Sequence, residues 1–275
     1  MKLFTKIILV FSILAFFSCE LPDTQDELED PMPAVWTVLS PYNPVQVFLT
    51  RVVPFGQEIP ESDSLYIYNA DITLEWTDSA IVLIETMIDV GYMLYPGYVP
   101  EDTSFRVVTG RQYTLSGNTD IGDFSETFIV PQKPSFTISP DTSVFDNVRQ
   151  TAFGVSIAKD DNAYEYEIIF EKIGDDREYL PDSIVLMDCY DLRWLNNSIP
   201  ETVGIPWCTF YYASEYEVKV RAREENYYKY LDYYYYSGMS DECDVYRSPP
   251  GGSGYTGVIG ALCESVDTVC VTIGY

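Results

Sequence analysis

Short stretches of alternating apolar and polar residues recur along the chain, and this pattern constrains the fold more than any other feature. Residues 164–171 and 216–223 are the two clearest examples. Each stretch places aromatic and aliphatic side chains on one face of a strand. The other face is acidic in the first stretch and basic in the second, through Glu165, Glu167 and Glu171 and through Lys219, Arg221 and Arg223. If the two strands pair, these exposed faces attract each other by only ~0.2 to 1 kcal/mol per surface pair.

Similar strand-like segments follow one another without a helical period between most of them. This spacing predicts an all-β protein with two antiparallel β-sandwich domains of the immunoglobulin or fibronectin III-like kind. Residues 130–134, with the sequence Val-Pro-Gln-Lys-Pro, are the predicted boundary because two prolines end a strand and stiffen a linker. We expect an N-terminal sandwich at residues 33–131 and a C-terminal, fibronectin III-like sandwich at residues 134–275.

A tyrosine-rich segment after Glu224 departs from the strand pattern. Tyr227, Tyr230, Leu231 and Tyr234 follow the helical spacing i, i+3, i+4 and i+7. Gly238 is a suitable helix stop. The segment therefore predicts one short helix near the C-terminus.

The first nineteen residues have the form of a lipoprotein export signal. Lys2 and Lys6 precede an apolar run of 11 residues, 7–17, which is followed by Ser18 and Cys19. That run is about half of the ~20 residues needed to span a bilayer as a helix. Residues 16–19, Phe-Phe-Ser-Cys, resemble a bacterial lipobox. We therefore predict a lipoprotein signal peptide at residues 1–18 and lipidation of Cys19, with a plain secretory signal as the alternative.

An acidic tether is predicted at residues 19–32. It contains six acids and no base between residues 20 and 30, and like-charge repulsion keeps such a segment extended. The stretch also resembles the surface-export signal of Bacteroidota lipoproteins. We expect a protein that is lipid-anchored at the outer membrane. The acidic residues could serve either as a signal for export to the cell surface or simply to keep the tether soluble, and the sequence leaves both explanations open.

Charge and composition exclude several functions. Removal of residues 1–18 takes away two lysines and no acid, which leaves 14 bases against 43 acids and a formal charge of −29. A field of that sign repels nucleic acid, so no nucleic-acid partner is expected. The chain has no histidine, which excludes Ser-His-Asp triads and His-ligated metal sites. We expect no enzyme, no catalytic residues, no metal and no cofactor.

Five cysteines remain for other chemistry if Cys19 carries lipid. Disulfides are the usual state of cysteines in exported proteins, so we expect two bridges and one free thiol. Cys189–Cys208 and Cys243–Cys263 are the first pairings to consider, and Cys270 is then the free residue. The alternative of a zinc site is disfavoured because no Cys-x-x-Cys pair exists.

Several stretches taken in order resemble one known family. They are residues 69–74 (Asn-Ala-Asp-Ile-Thr-Leu), 108–115 (Val-Thr-Gly-Arg-Gln-Tyr-Thr-Leu), 129–131 (Ile-Val-Pro), the tyrosine-rich segment, 257–261 (Gly-Val-Ile-Gly-Ala) and 265–269 (Ser-Val-Asp-Thr-Val). Together they are similar to Bacteroidota outer-membrane lipoproteins catalogued as a domain of unknown function. Members are commonly encoded beside TonB-dependent receptors, so the resemblance implies an accessory role to such a β-barrel receptor. It assigns no catalytic or binding residues. The five mature cysteines and the Pro-Pro-Gly-Gly-Ser-Gly stretch at 249–254 depart from the family pattern.

Aromatic residues are the candidates for ligand or partner contact: Trp194, Trp207, Tyr233, Tyr235 and Tyr236. Aromatic faces stack on sugar rings, so a glycan-binding surface lipoprotein is the alternative to the accessory role. The same residues are equally typical of an amphipathic helix packed on a sandwich, or of plugs at its open end. Residues 160–162 and 175–176 could supply calcium ligands, but Asp and Asn also favour turns. A structural or adhesive surface subunit is the third possibility.

Overall fold

The computed structural model describes residues 32–52, 62–91, 93–145, 151–175, 178–180, 192–237 and 251–273. The side chains of residues 62, 63 and 235–237 lie outside this description. The protein is mostly β-structure arranged in several sheets, which confirms the predicted all-β fold class. Within the described residues, no helix combines the length and the apolar character that crossing a membrane requires.

The N-terminal part supplies two layers of strands. Its elements are β1 (Pro33–Leu39), β2 (Phe48–Arg51), α1 (Ser62–Leu65), β3 (Asp71–Trp76), β4 (Ser79–Asp89), β5 (Leu94–Pro100), β6 (Gln112–Thr119) and β7 (Gly122–Ile129). Strands β5, β4, β3, β6 and β7 form one antiparallel sheet in that order, while β1 and β2 pair in the facing layer. Alternate residues point inward, and Ile72, Leu74 and Leu115 are fully buried between the layers.

The C-terminal part forms a second pair of layers. Its elements are β8 (Ser135–Ser139), β9 (Thr142–Phe145), β10 (Thr151–Ala158), β11 (Glu165–Lys172), β12 (Glu178–Tyr179), β13 (Arg193–Leu195), β14 (Val203–Pro206), a 3-10 turn (Trp207–Thr209), β15 (Tyr212–Arg223), α2 (Glu225–Ser237), β16 (Gly251–Gly252) and β17 (Tyr255–Ile273). Strands β14, β10 and β8 form one sheet, and β13, β11, β15 and β17 lie in the other.

A tyrosine corner marks the second pair of layers as immunoglobulin-like. The Tyr216 hydroxyl, near the start of β15, donates to the carbonyl oxygen of Tyr212 at 3.0 Å and accepts from the Tyr212 amide at 3.3 Å. Such a bond back to the preceding corner is a hallmark of these sandwiches. Burial raises the pKa of the Tyr216 hydroxyl, and a protonated hydroxyl is what the donated bond requires.

The last strand, β17, belongs to both sandwiches. Residues 256–261 pair in parallel with β1, while residues 262–271 pair antiparallel with β15. Accordingly, Tyr255, Ile259 and Ala261 belong to the first hydrophobic core, and Val269 and Val271 to the second. The segment 255–261 thus lies in the first core although it falls within the range 134–275 predicted for the C-terminal domain. We call β1–β7 with residues 255–261 the first sandwich, and β8–β15 with residues 262–273 the second sandwich.

Two strand pairs are parallel, whereas the prediction was of antiparallel sandwiches. β1 and β9 each lie parallel to β17, the first beside residues 256–261 and the second beside residues 270–273. Parallel neighbours need a long connection, and more than a hundred residues separate β17 from either partner. Local alternation does not report such pairings because it carries no information about strand direction.

The two ends of the first sandwich differ in what they present. Pro33 pairs with Arg51, and Val47 bridges Tyr98, so the start of β1, the end of β2 and Leu94 lie at one end. We call this the free end. β17 runs parallel to β1 away from it, and therefore the second sandwich lies beyond the opposite end, which we call the junction.

Helix α2 confirms the helix predicted from the tyrosine spacing, and it ends directly before Gly238. The Tyr228 ring lies 4.9 Å from that of Tyr164 in the second sandwich. Two residues on, the Tyr230 ring contacts Trp36 of β1 edge-to-face at 5.7 Å. The helix therefore packs on both sandwiches at the junction.

The acidic and basic strands, whose pairing the sequence left as a condition, do pair. β11 and β15 are antiparallel neighbours, with Glu165 opposite Arg223 and Glu167 opposite Arg221. The prediction of an exposed face is wrong at the junction end, where Glu165 is 3% and Arg223 5% exposed. Helix α2 lies there, and its Tyr227 ring is 5.8 Å from the Arg223 guanidinium.

Candidate functional site

A groove of about 480 Å³ opens beside the junction. Its lining consists of Lys159, Asp161, Ala163, Tyr164, Leu195, Asn196 and Asn197. These residues come from the loop between β10 and β11 and from the turn after β13. We call it the junction groove, because β11 begins here at Glu165, which pairs with Arg223, and Arg223 in turn pairs with Leu262 of β17. Ligand sites in proteins often lie where two structural units meet.

Asp160 holds the first wall of the junction groove in place. Its carboxylate accepts from the Asn162 amide at 3.2 Å and from the Gln132 amide at 2.8 Å. Its own amide donates to the Tyr166 hydroxyl at 2.7 Å. Since Gln132 belongs to the linker between the sandwiches, Asp160 ties that linker to the loop.

Tyr164 supplies the aromatic surface of the groove. It is 36% exposed, and its ring is supported from behind by Tyr228 of α2. Its carbonyl oxygen accepts from the Asn196 amide at 2.8 Å, which fixes the two walls relative to each other. A supported, partly exposed ring of this kind offers an apolar face at little entropic cost.

Amide groups form the second wall. The side-chain nitrogen of Asn196 donates to the Asp160 carbonyl oxygen at 2.9 Å. The side-chain oxygen of Asn196 is buried and has no hydrogen-bond partner in the described ranges. Asn197 next to it is exposed. A buried amide oxygen without a partner is costly, so a hydroxyl or amine donor that reaches it would be favoured.

The groove combines an aromatic face with hydrogen-bonding groups of several kinds. Asn196 and Asn197 offer amides, Asp161 a carboxylate and Lys159 an ammonium group. Hydroxyl groups of a polar ligand can donate to the amide oxygens and the carboxylate, and can accept from the amide nitrogens and the ammonium group. The arrangement therefore suits a small ligand with one apolar face and several hydroxyl groups.

A buried carboxylate lies under the start of α2. Glu224 is 8% exposed, and it accepts the amide of Asn226 at 3.0 Å and that of Tyr227 at 3.4 Å, which caps the helix. Burial raises the pKa of Glu224 to about 7, and the nearby Glu126 carboxylate adds to the shift. These groups do not line the junction groove, so we treat them as structural.

Gly260 explains why α2 can begin so close to β17. A Cβ atom at this position would lie 2.9 Å from the Tyr227 amide nitrogen and 3.1 Å from the Glu224 carboxylate. Gly257 has φ +102°, and a Cβ there would lie 2.3 Å from the Val35 carbonyl oxygen. Both glycines of the stretch 257–261 are thus required by close backbone approaches to α2 and β1.

A second groove, of about 590 Å³, lies at the turn between β3 and β4. Residues 75–80 line it together with Gln112 and Thr114. Trp76 in this turn is half-buried, with its ring 5.3 Å from Phe105 and 5.8 Å from Tyr113. This tryptophan packs against the first core, so its ring is partly used for folding.

Trp207 is not a ligand contact, and that prediction is wrong. It is 4% exposed, and its ring packs edge-to-face on Phe145 at 5.3 Å and on Phe210 at 6.5 Å. The short 3-10 turn that carries Trp207 covers the second core. This agrees with the alternative role considered from the sequence, in which the tryptophan closes the open end of the sandwich. Trp194 is half-buried against the same core, directly before the groove residue Leu195.

The tyrosines predicted as contacts lie on α2. Tyr233 is half-buried on the helix. The side chains of Tyr235 and Tyr236 lie outside the described residues. The structure brings none of the described predicted aromatic residues into the groove lining itself, although Trp194 adjoins it.

The cysteine pairing predicted for Cys263 is also wrong. Cys263 is a buried free thiol whose sulfur lies 3.5 Å from the Tyr42 hydroxyl, and burial raises its pKa. Cys263 lies inside β17, where a bridge to Cys243 does not form. Cys270 is also free. Cys208 is disulfide-bonded, but Cys189 and Cys243 lie outside the described residues, so its pairing with Cys189 stays a prediction.

The sequence pattern did not identify the groove residues as a set. Residues 160–162 were considered as calcium ligands. In the structure, the Asp160 carboxylate accepts hydrogen bonds from the backbone amides of Gln132 and Asn162. Asp176 of the other calcium candidate lies outside the described ranges. Among the described residues, no group of three or more Cys, Asp or Glu side chains is placed to hold a metal. The adjacent amides Asn196 and Asn197 beside Trp194 were the one signal available.

Comparison with protein-family models and with curated protein sequences gives no match to this chain. The resemblance to Bacteroidota outer-membrane lipoproteins therefore stays a prediction, carried by the stretches quoted above. Cys19 lies outside the described residues, and its lipidation also stays a prediction.

Proposed function

We propose that this protein is a lipid-anchored binding protein of the outer membrane, held by Cys19, that assists a TonB-dependent uptake receptor. The observation that carries the proposal is the position where the chain enters the first sandwich. Pro33 lies at the free end, whereas the junction groove lies beyond the opposite end of the same sandwich. An anchor attached ahead of Pro33 therefore leaves the groove farther from the membrane than the free end is.

Two further features support a role in binding. The acidic segment 20–30, which lies outside the described residues, is predicted from its sequence to be a tether for the anchored protein. Loops on a rigid β-scaffold are the usual place for ligand contacts, and the junction groove is built from two such loops. The receptor as partner comes from the family resemblance alone.

The anchor and the partner can be tested in one preparation. The protein is purified from its own outer membrane in mild detergent, and the mass of its N-terminal peptide is measured. We expect acyl chains on Cys19 and a β-barrel receptor that co-purifies. Cys19→Ala should release the protein from the membrane fraction. Recovery of the lipidated protein without any barrel receptor, after chemical cross-linking, would contradict the accessory role.

A glycan ligand is the second candidate, and the junction groove is the observation that favours it. Tyr164 can stack on the apolar face of a sugar ring, while Asn196, Asn197 and Asp161 can bond its hydroxyl groups. Calorimetry with ligands from a glycan array tests it. Tyr164→Ala should weaken binding at least tenfold, whereas Tyr211→Ala, at a 60% exposed tyrosine directly before β15 and at the far end of that strand from Arg223, should leave it unchanged. An array without hits would remove this candidate.

A further inference from the structure

Apolar side chains are concentrated at the turn between β4 and β5. Met87 and Val90 are each 53% exposed, Met93 is 63% exposed and Leu94 is 61% exposed. We call these four residues the hairpin tip. Single exposed apolar residues are normal on a protein surface, but four on one projecting hairpin are not. Contiguous exposed apolar surface marks a place where a partner or a membrane is met.

Hydrogen bonds hold the described residues on both sides of this turn. The Val90 amide donates to the Met93 carbonyl oxygen at 3.0 Å, and the Asp89 carboxylate accepts the Gly91 amide at 2.8 Å. The Tyr95 hydroxyl donates to the Met93 sulfur at 3.4 Å. The turn therefore satisfies these backbone amides internally while its apolar side chains point to solvent, which is the requirement for contact with lipid.

The position of the hairpin tip identifies what it meets. Asp89 pairs with Leu94, and Leu94 lies level with Arg51 and Pro33 at the free end. Of the four tip residues, Val90 and Met93 extend beyond that level, whereas Leu94 lies at it and Met87, which pairs with Pro96, lies just behind it. The chain enters the first sandwich at this same end, and Met32 comes only 13 positions after Cys19. Fully extended, such a segment spans at most ~45 Å.

We infer that the hairpin tip is a second membrane contact, which inserts Met87, Val90, Met93 and Leu94 into the lipid leaflet that holds Cys19. The inference rests on the proposed lipid anchor. Tyr95, just behind the tip, is of the residue type that prefers the polar boundary of a bilayer. The formal charge of −29 disfavours anionic lipid, so the surface met is one of low net charge. Together the lipid and the tip would orient the protein so that β17 runs from the membrane side outward into the second sandwich.

Photo-crosslinking in the intact outer membrane tests the inference. Met93 is replaced by p-benzoylphenylalanine in the full-length protein, and in a matched variant Val82 is replaced instead. Val82 is also 63% exposed and lies on β4, but it is paired at the middle of the sheet. After irradiation, lipid adducts are measured by mass spectrometry of the labelled peptide. We expect at least tenfold more lipid adduct at position 93 than at position 82.

Each result decides between lipid and other occupants. Equal adduct yields at the two positions, or no lipid adduct at position 93, would overturn the inference. Adducts of position 93 with a protein, whether a receptor or a second copy of this chain, would also overturn it. The mass of the N-terminal peptide from the same sample reports the lipid on Cys19. Lipidated Cys19 without adducts at 93 refutes the tip alone, and adducts at 93 with unmodified Cys19 refute the anchor alone.

Discussion

Glu224 is the residue whose surroundings differ most from its ordinary ones. Its carboxylate caps α2 from a buried position, and burial raises its pKa from 4.5 to about 7. The protonated form is thus favoured in the folded protein relative to the unfolded chain. The stability that follows is fully present below the unfolded pKa, near pH 4.5, and is lost as the pH rises through about 7.

Glu224→Gln should remove this pH dependence. We expect the difference in unfolding free energy between wild type and variant to change by on the order of 3 kcal/mol between pH 4.5 and pH 8, since each pKa unit corresponds to ~1.4 kcal/mol. Urea unfolding at several pH values measures it. The control is Glu225→Gln, at an exposed residue paired with Lys229, whose effect should stay under ~0.5 kcal/mol throughout. A pH-independent difference for Glu224→Gln would contradict the prediction.

The sequence allowed roles to be suggested for single residues from their chemical type, but it did not show whether each side chain is buried or what it contacts. Trp207 and Cys263 were assigned to a ligand contact and to a disulfide, yet both are buried in the folded protein. Their burial depends on Phe145 and Tyr42, which come from distant parts of the chain. No local pattern records such contacts.

At the scale of elements, the buried pair between β11 and β15 is the most informative feature. A nitrogen of Arg223 lies 2.6 Å from the Glu165 carboxylate, and the side chains are only 6% and 4% exposed. Arg223 also bonds Glu167. Burial raises the pKa of Glu165 although Arg223 opposes the shift. The ion pair is thus kept from water by α2 rather than lying on an open sheet face.

Arg223→Ala should destabilise the protein by about 3–5 kcal/mol, because it leaves the Glu165 carboxylate buried without its partner. The double variant Arg223→Met with Glu165→Met should recover most of this loss. Denaturant unfolding of the three proteins measures the effect. Lys229→Ala, at an exposed ion pair, serves as the control and should cost less than ~1 kcal/mol. A double variant as unstable as Arg223→Ala would argue against the unpaired charge as the cause.

The elements themselves were largely predictable. Alternation indicated the strands at residues 164–171 and 216–223, and the tyrosine spacing indicated α2, because both signals are periodic along the chain. The position of α2 over that strand pair was not predictable. It depends on Gly260 of β17. Any larger residue there would place its Cβ atom only 2.9 Å from the Tyr227 amide nitrogen, so glycine is what lets the helix begin this close to the strand.

At the scale of the whole molecule, the first sandwich depends on β17. A fragment of residues 32–131 lacks Tyr255, Ile259 and Ala261, which are 4%, 0% and 0% exposed in the first core. We expect this fragment to show no cooperative urea transition, while the full chain does. A synthetic peptide of residues 251–262 should restore a transition when added in excess, and a peptide with Ile259→Asp should not. Cooperative unfolding of the fragment alone would contradict the dependence.

The two-sandwich organisation was visible in the sequence, but the sharing of one strand was not. The prolines at residues 131 and 134 predicted a boundary, and the described residues form two hydrophobic cores, with Val130 in the first and Phe136 packed against the second. A strand of 19 residues that changes neighbours halfway leaves no break in its own alternation, so residues 255–273 look like one element of one domain.

The order of synthesis gives β17 a further consequence. Residues 255–273 follow every other described strand, and both cores contain side chains from them. Neither sandwich can reach its final packing until these residues have left the ribosome. A chain that is exported through a narrow translocation channel must stay unfolded until it has passed. For the lipid-anchored, exported protein proposed above, the late position of this shared strand would delay the final packing of both cores until most of the chain has passed.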